Sequence, residues 1–224
     1  MAIAYSTRAD GGNTAASSFT ATTPTHNAGD LLLLVVAINS YGVQIDTPSG
    51  YQLVGSVRIT GTLRQSVSVF WKVGTGSTSG VTVSLSGGTA YSAYSHLVFT
   101  GSGFSAESFV NVQTNGLADS SFRTVSPPDP GATGVGEYAL AIGSVTSTTF
   151  DSNAIAGADW TAVVYGAGSN SFAWLMIGRK VASKAASTCT LTFASTSSTS
   201  TKAGISFLMK ETAATNYLFF GSNF

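Results

Sequence analysis

Charge is scarce in this chain of 224 residues: Asp, Glu, Lys and Arg together make up 9% of it. An ordinary soluble domain carries about 25%. The 10 basic residues balance the 10 acidic ones, so net charge is +0. A surface near neutrality has little to hold like molecules apart, and such chains associate. The balance also removes a class of partner. Arg8, Arg58, Arg64 and Lys72 are offset in the first half by Asp10, Asp30, Asp46 and Glu107. No basic stripe of the kind nucleic acid requires is present, so no nucleic acid is expected.

Cysteine is nearly missing as well. Cys189 stands alone, which rules out an intrachain disulfide. It aligns with Val81 on an apolar face and reads as a packed thiol, a small hydrophobe in effect. The strongest apolar run, Leu31 to Ile38, is far too short to span a bilayer, so no membrane is expected. Met1-Ala2-Ile3-Ala4-Tyr5 has neither the basic n-region nor the apolar h-region of a signal peptide. Synthesis in a reducing cytoplasm is the plain expectation. Sustained 3.6-residue periodicity is absent, and residues 154–158 offer a helical turn at most.

Catalytic groupings are missing too. His26, His96 and Cys189 do not make the three or four ligands at workable spacing that zinc needs. No Gly-x-Ser-x-Gly elbow occurs. Gly74-Thr75-Gly76-Ser77-Thr78-Ser79-Gly80 lacks the Gly-Lys-(Ser/Thr) ending of a phosphate loop and reads as a hairpin loop. The acids are scattered, with no pair placed for glycoside cleavage. Asp10-Gly11-Gly12-Asn13 reads as a turn, since further calcium ligands are not near it. The expectation is a protein that is not an enzyme, with no catalytic residues, no metal and no cofactor.

What the chain does have is a repeat. Phe70-Trp71-Lys72-Val73 followed by Val81-Thr82-Val83-Ser84-Leu85 returns 108 residues later as Gly178-Arg179-Lys180-Val181 followed by Cys189-Thr190-Leu191-Thr192-Phe193. The same offset places Leu97 and Phe99 on Ile205 and Phe207. Self-similarity at a fixed period marks a duplicated architecture.

Short alternating segments bounded by Gly, Ser, Thr and Asn read as strands. They fall near 18–22, 30–38, 51–59, 64–73, 80–86 and 93–101 in the first copy. In the second they fall near 121–125, 137–145, 160–166, 172–181, 187–193 and 203–210. Val67, Val69, Trp71 and Val73 share one face, whereas Leu31 to Ile38 is apolar on both and predicts a doubly covered central strand. Asp30 and Glu137 are repeat equivalents at strand starts, where turn roles are commonest.

The predicted fold is all-β, an antiparallel, jelly-roll-like β-sandwich of two internally duplicated halves. Residues 1–108 form the first half, 109–210 the second and 211–224 an aromatic tail. The halves form either two side-by-side domains or one interdigitated sandwich, and the short connection between them favours one compact unit.

Aromatic residues are the remaining binding candidates. Tyr41, Tyr91, Tyr94 and Tyr165 lie in or near predicted loops, able to stack on sugar rings or to pack at the sandwich edge. Tyr217, Leu218, Phe219, Phe220 and Phe224 fall outside the repeat and would form a costly patch in water. The tail returns either as a strand on its own sheet or as an anchor on a neighbour.

Gly29-Asp30-Leu31-Leu32, Pro48-Ser49-Gly50-Tyr51, Phe70-Trp71-Lys72-Val73 and the strand from Val81 to Leu85 resemble motifs of bacteriophage virion β-sandwich proteins. In that group such modules occur in head-decoration and tail-fibre proteins. The resemblance implies a non-enzymatic virion structural protein, made in the bacterial host cytoplasm. On this reading it is a capsid decoration or cement protein that binds the outside of the head. Its partners would be the major capsid protein or other virion proteins, and it would act as a homo-oligomer, a trimer being favoured. The alternative is a tail-fibre or receptor-binding module that recognises host surface glycans through Tyr41, Tyr91, Tyr94 and Tyr165.

Overall fold

A computed structural model of the chain describes residues 3–40, 42–60, 64–101, 103–120, 124–146, 153–169, 173–181, 184–193 and 200–211. The first half contributes β1 (Ala4–Ala16), β2 (Ser18–Ala21), β3 (Ala28–Asn39), β4 (Gln44–Ile45), β5 (Gln52–Ile59), β6 (Gln65–Thr75), β7 (Val81–Ser86) and β8 (Ala90–Thr100). The second contributes β9 (Phe109–Ser120), β10 (Thr124–Val125), β11 (Tyr138–Val145), β12 (Asn153–Ala156), β13 (Thr161–Ser169), β14 (Ala173–Val181), β15 (Thr190–Phe193) and β16 (Ser200–Met209). Among the described residues, a 3-10 turn at Ala106–Ser108 is the one helical element.

Strand neighbours repeat the duplication in full. In the first half they run β1-β8-β3-β6-β5 in one antiparallel sheet and β2-β7-β4 in another. Adding eight to each label gives the other two sheets, β9-β16-β11-β14-β13 and β10-β15-β12. First strand beside eighth, third beside sixth and second beside seventh is jelly-roll winding. The chain is an all-β antiparallel sandwich of that type, built twice.

The two five-stranded sheets pack face to face, with a three-stranded sheet outside each. This gives four layers and three cores. Leu31, Leu33, Val35 and Ala37 point into the central core beside Tyr138, Leu140 and Ile142 of the other half. Leu34, Val36 and Ile38, from the opposite face of β3, fill the first outer core with Val81, Val83 and Leu85. Alternation along a strand demands this division. The expected doubly covered strand is therefore β3, and its apolar run from Leu31 to Ile38 reflects burial on both faces. In the second half Ala139, Ala141, Leu191, Phe193 and Cys189 fill the matching outer core.

Contacts across the centre come in swapped pairs. β5 lies on β9, and β13 lies on β1. The Trp71 ring of β6 sits 5.4 Å from that of Phe109 on β9. Its repeat equivalent Arg179, on β14, places its guanidinium 5.3 Å from the centre of Tyr5 on β1. Tyr5 and Phe109 are themselves equivalent, because each opposes the residue that pairs with the first core position of β3 or β11. Such reciprocity is the mark of an isologous contact, so the halves meet about an approximate twofold axis. One contact breaks the symmetry. Gln65, fully buried, donates through Nε2 to Ser144 Oγ and accepts at Oε1 from Thr146 Oγ1 at 2.6 Å.

Several local expectations change. Among the described residues each half shows eight strands where six were expected; β1, β4, β9 and β12 are the additions. Asp10-Gly11-Gly12-Asn13 is not a turn but the middle of β1, paired with Ser92 to Ser95. Gly11 is there because a Cβ would lie 2.7 Å from the Tyr94 ring. Residues 153–156 are strand, held against β15, not the start of a helical turn. The 76–80 loop joins β6 to β7, which belong to different sheets, so it is a crossover and not a hairpin.

Register also corrects the repeat. Leu97 faces Leu33, which faces Trp71. In the second half Phe207 faces Leu140, which faces Arg179. Phe207, not Ile205, therefore occupies the place of Leu97. A two-residue slip keeps every side chain on its own face, so the pattern hides it.

Candidate functional site

Most side chains able to do chemistry are committed to holding the frame. His96, on β8, is completely buried. Its Nδ1 lies 3.1 Å from the Thr22 carbonyl and its Nε2 lies 2.8 Å from the Tyr51 hydroxyl. A carbonyl accepts only, so Nδ1 carries the proton and Nε2 accepts from tyrosine. Burial pushes the His96 pKa down to about 4, against the opposing pull of the Thr22 carbonyl. The same desolvation drives the Tyr51 hydroxyl well above its usual range. His26 is tied in likewise, with Nδ1 2.9 Å from the Pro24 carbonyl and Nε2 accepting from Gly76 N–H at 3.1 Å.

Two lysines repeat a cation–aromatic contact. Lys72 Nζ lies 4.7 Å from the centre of Tyr51, and Lys180 Nζ lies 5.2 Å from that of Trp160. Lys180 is fully buried and donates to the Gly131 and Ala185 carbonyls at 3.1 and 3.0 Å. The Cys189 thiol is buried beside it, and desolvation raises its pKa to about 12, as suits a packed, unreactive group. Asp30 and Glu137 each close the turn that opens a strand, accepting from Asn27 N–H at 2.7 Å and from Gly134 N–H at 2.6 Å. Arg8 bonds Asp10 at 2.5 Å, and Ser95 donates to the same carboxylate at 2.7 Å.

The outer sheets present a different surface. Their six strands read Ser-Phe-Thr-Ala, Gln-Ile, Val-Thr-Val-Ser-Leu-Ser, Thr-Val, Asn-Ala-Ile-Ala and Thr-Leu-Thr-Phe, without one ionic side chain. Ser18 pairs with Ser84, Thr20 with Thr82 and Gln44 with Ser86, so hydroxyls and amides tile the exposed face of the first half. Thr124 opposite Thr192 continues the theme in the second.

Hollows open between these features among the described residues. One of about 180 Å³ lies between β4 and the β5–β6 pair, lined by Val43, Ile45, Ser56, Arg58, Ser66 and Ser68. Another of about 330 Å³ flanks Lys72 and the 76–80 loop. A dent of about 30 Å³ lies near Asn115 and Lys202. No group of three His, Cys, Asp or Glu able to hold a metal ion occurs among the described residues.

The expected contact residues do not converge. Tyr217, Leu218, Phe219, Phe220, Phe224 and Tyr41 lie outside the described residues. Tyr91 is half-buried in β8 opposite Asn39, and Tyr165 lies in β13 opposite Met176. Tyr94, expected near a loop, is a core residue of β8. Its ring stacks on Phe19 at 5.8 Å, and its hydroxyl accepts from Thr22 N–H at 3.1 Å. A ring so covered has no face left for a sugar. The serine-lined hollow went unnoticed in the sequence, because single serines in a Ser-rich chain carry no signal until the fold gathers them. Compared with protein-family models, with curated proteins and with solved structures, the chain gives no match.

Proposed function

We propose that this chain is a non-enzymatic structural protein of a bacteriophage virion, a decoration or cement protein bound to the outside of the head. The uncharged outer sheets carry this reading. A sheet that faces water ordinarily bears charge and guards its edge strands with it. Here both outer sheets lack ionic groups altogether, although interface cores are the places where charge is depleted. The motif resemblance noted above supplies the virion setting, and the neutral, charge-poor composition agrees with life in an assembly.

Attachment then needs no deep pocket. Each flat hydroxyl face contributes a modest affinity, and many subunits on a symmetric lattice multiply it through avidity. The major capsid protein is the proposed partner, with the subunits arranged as trimers. Recognition of host glycans by tyrosines has less support, given the buried ring of Tyr94.

Purified protein mixed with undecorated capsids should bind saturably and in fixed stoichiometry. Thr82→Lys together with Thr192→Lys should abolish that binding. The melting temperature should move little, since Thr82 is exposed and Thr192 half-buried, and surface substitutions change stability by about 0.5 kcal/mol or less. Wild-type protein that ignores capsids, or a double variant that binds as well as wild type, would remove the proposal.

A further inference from the structure

The hollow beside β4 differs from its counterpart in the other half in a way that points to a ligand. Ser66 and Ser68 form its floor, 8% and 6% exposed. Their equivalents follow from register: Ser66 and Ser68 face Ile38 and Val36, as Trp174 and Met176 face Val145 and Gly143. In the second half Trp174 packs against the outer core and Met176 is wholly buried within it. Apolar side chains thus fill there what hydroxyls leave open in the first half. Filling the space would stabilise the fold, because cavities cost packing energy. The polar groups are also unengaged. Among the described residues, Ser56, Ser66, Ser68 and Arg58 make no side-chain hydrogen bond or ion pair.

We propose that this hollow binds a carboxylate-bearing sugar unit. Three hydroxyls, each both donor and acceptor, match a ligand rich in the same groups. Arg58 offers a planar guanidinium, whose fork fits a carboxylate in bidentate fashion. Val43 and Ile45 give the C–H face of a ring an apolar wall. A small inorganic anion would leave that wall unused. The volume, about 180 Å³, lies below the range for drug-sized ligands and suits one ring. The inference is independent of where the protein sits on a particle.

Amide NMR titration of the full chain with glucuronate, glucose and acetate tests it. Glucuronate should shift amides at 43–45, 56–58 and 66–68 saturably, with glucose and acetate each at least about tenfold weaker. Arg58→Gln should weaken glucuronate by about tenfold, the scale of a lost charged hydrogen bond. Ser68→Met, which copies the second half, should abolish binding. If that variant does not fold, Arg58→Gln, an exposed position, still decides. Absent shifts, acetate equal to glucuronate, or undiminished binding in the variants would each overturn the proposal.

Discussion

His96 makes the fold sensitive to acid. Its neutral ring is the bridge between the Thr22 carbonyl and the Tyr51 hydroxyl, and a proton on Nε2 would place a charge where burial shuts out water. The unfolded ring takes up a proton near about pH 6.5, whereas the folded one resists until about 4. The folded value is the lower, so this contribution is complete above about 6.5 and is lost as pH falls towards 4. The difference bounds the loss at about 3 kcal/mol. Urea unfolding at pH 7.0 and 4.5 should show it. His96→Leu should flatten the pH dependence while costing about 1–3 kcal/mol at neutral pH for each partner left without a bond. A variant with the wild-type pH slope would assign the sensitivity elsewhere. Gly11 shows the limit of reading at this scale. Local sequence says turn, and only the Tyr94 ring, 83 positions away in the chain, explains why a glycine sits mid-strand.

Among the elements, legibility followed burial. β6 and β7 announce themselves through alternation, and β3 through an unbroken apolar run, because one or both faces enter a core. β1, with half of its residues exposed and a Gly-Gly within it, does not. The turn before Tyr51 is another case, because its Pro48-Ser49-Gly50 is matched in the second half only by Ala158-Asp159 before Trp160. Tyr51 N–H bonds the Pro48 carbonyl at 3.0 Å across a turn that places Gly50 at φ 78°. Trp160 N–H bonds Gly157 at 3.3 Å in the same way, with Asp159 at φ 67° in the glycine's place. The motif vanished and the turn stayed, since aspartate tolerates the left-handed region. Between β6 and β11, Gln65 ties the central sheets together. Gln65→Leu should cost about 1–3 kcal/mol by stranding the Ser144 and Thr146 hydroxyls. Adding Ser144→Ala and Thr146→Val should recover much of that cost, measured as non-additivity in chemical unfolding. Strict additivity would mean that the three side chains do not act together.

At the scale of the molecule, the swapped contacts make the chain a dimer in one piece. Residues 1–108 alone would leave the apolar face of β1-β8-β3-β6-β5 in water. That face is nearly self-complementary, because Trp71 would meet a second Tyr5 where it now meets Phe109. The isolated first half should therefore form a homodimer, seen by light scattering at micromolar concentration. Ala93→Lys, on the same face, should leave it monomeric or unfolded. A folded half that remains monomeric would show that the central core adds little to association.

In a pair of identical subunits, one altered codon appears on both sides of the axis, so an improvement for one partner is forced on the other. Covalent joining lifts that constraint. Gln65 with Ala173 in its matching place, and Trp71 with Arg179, are substitutions an identical pair could not make singly. Each half is thereby free to specialise without unsettling the seam: one sets Ser66 and Ser68 where the other sets Trp174 and Met176.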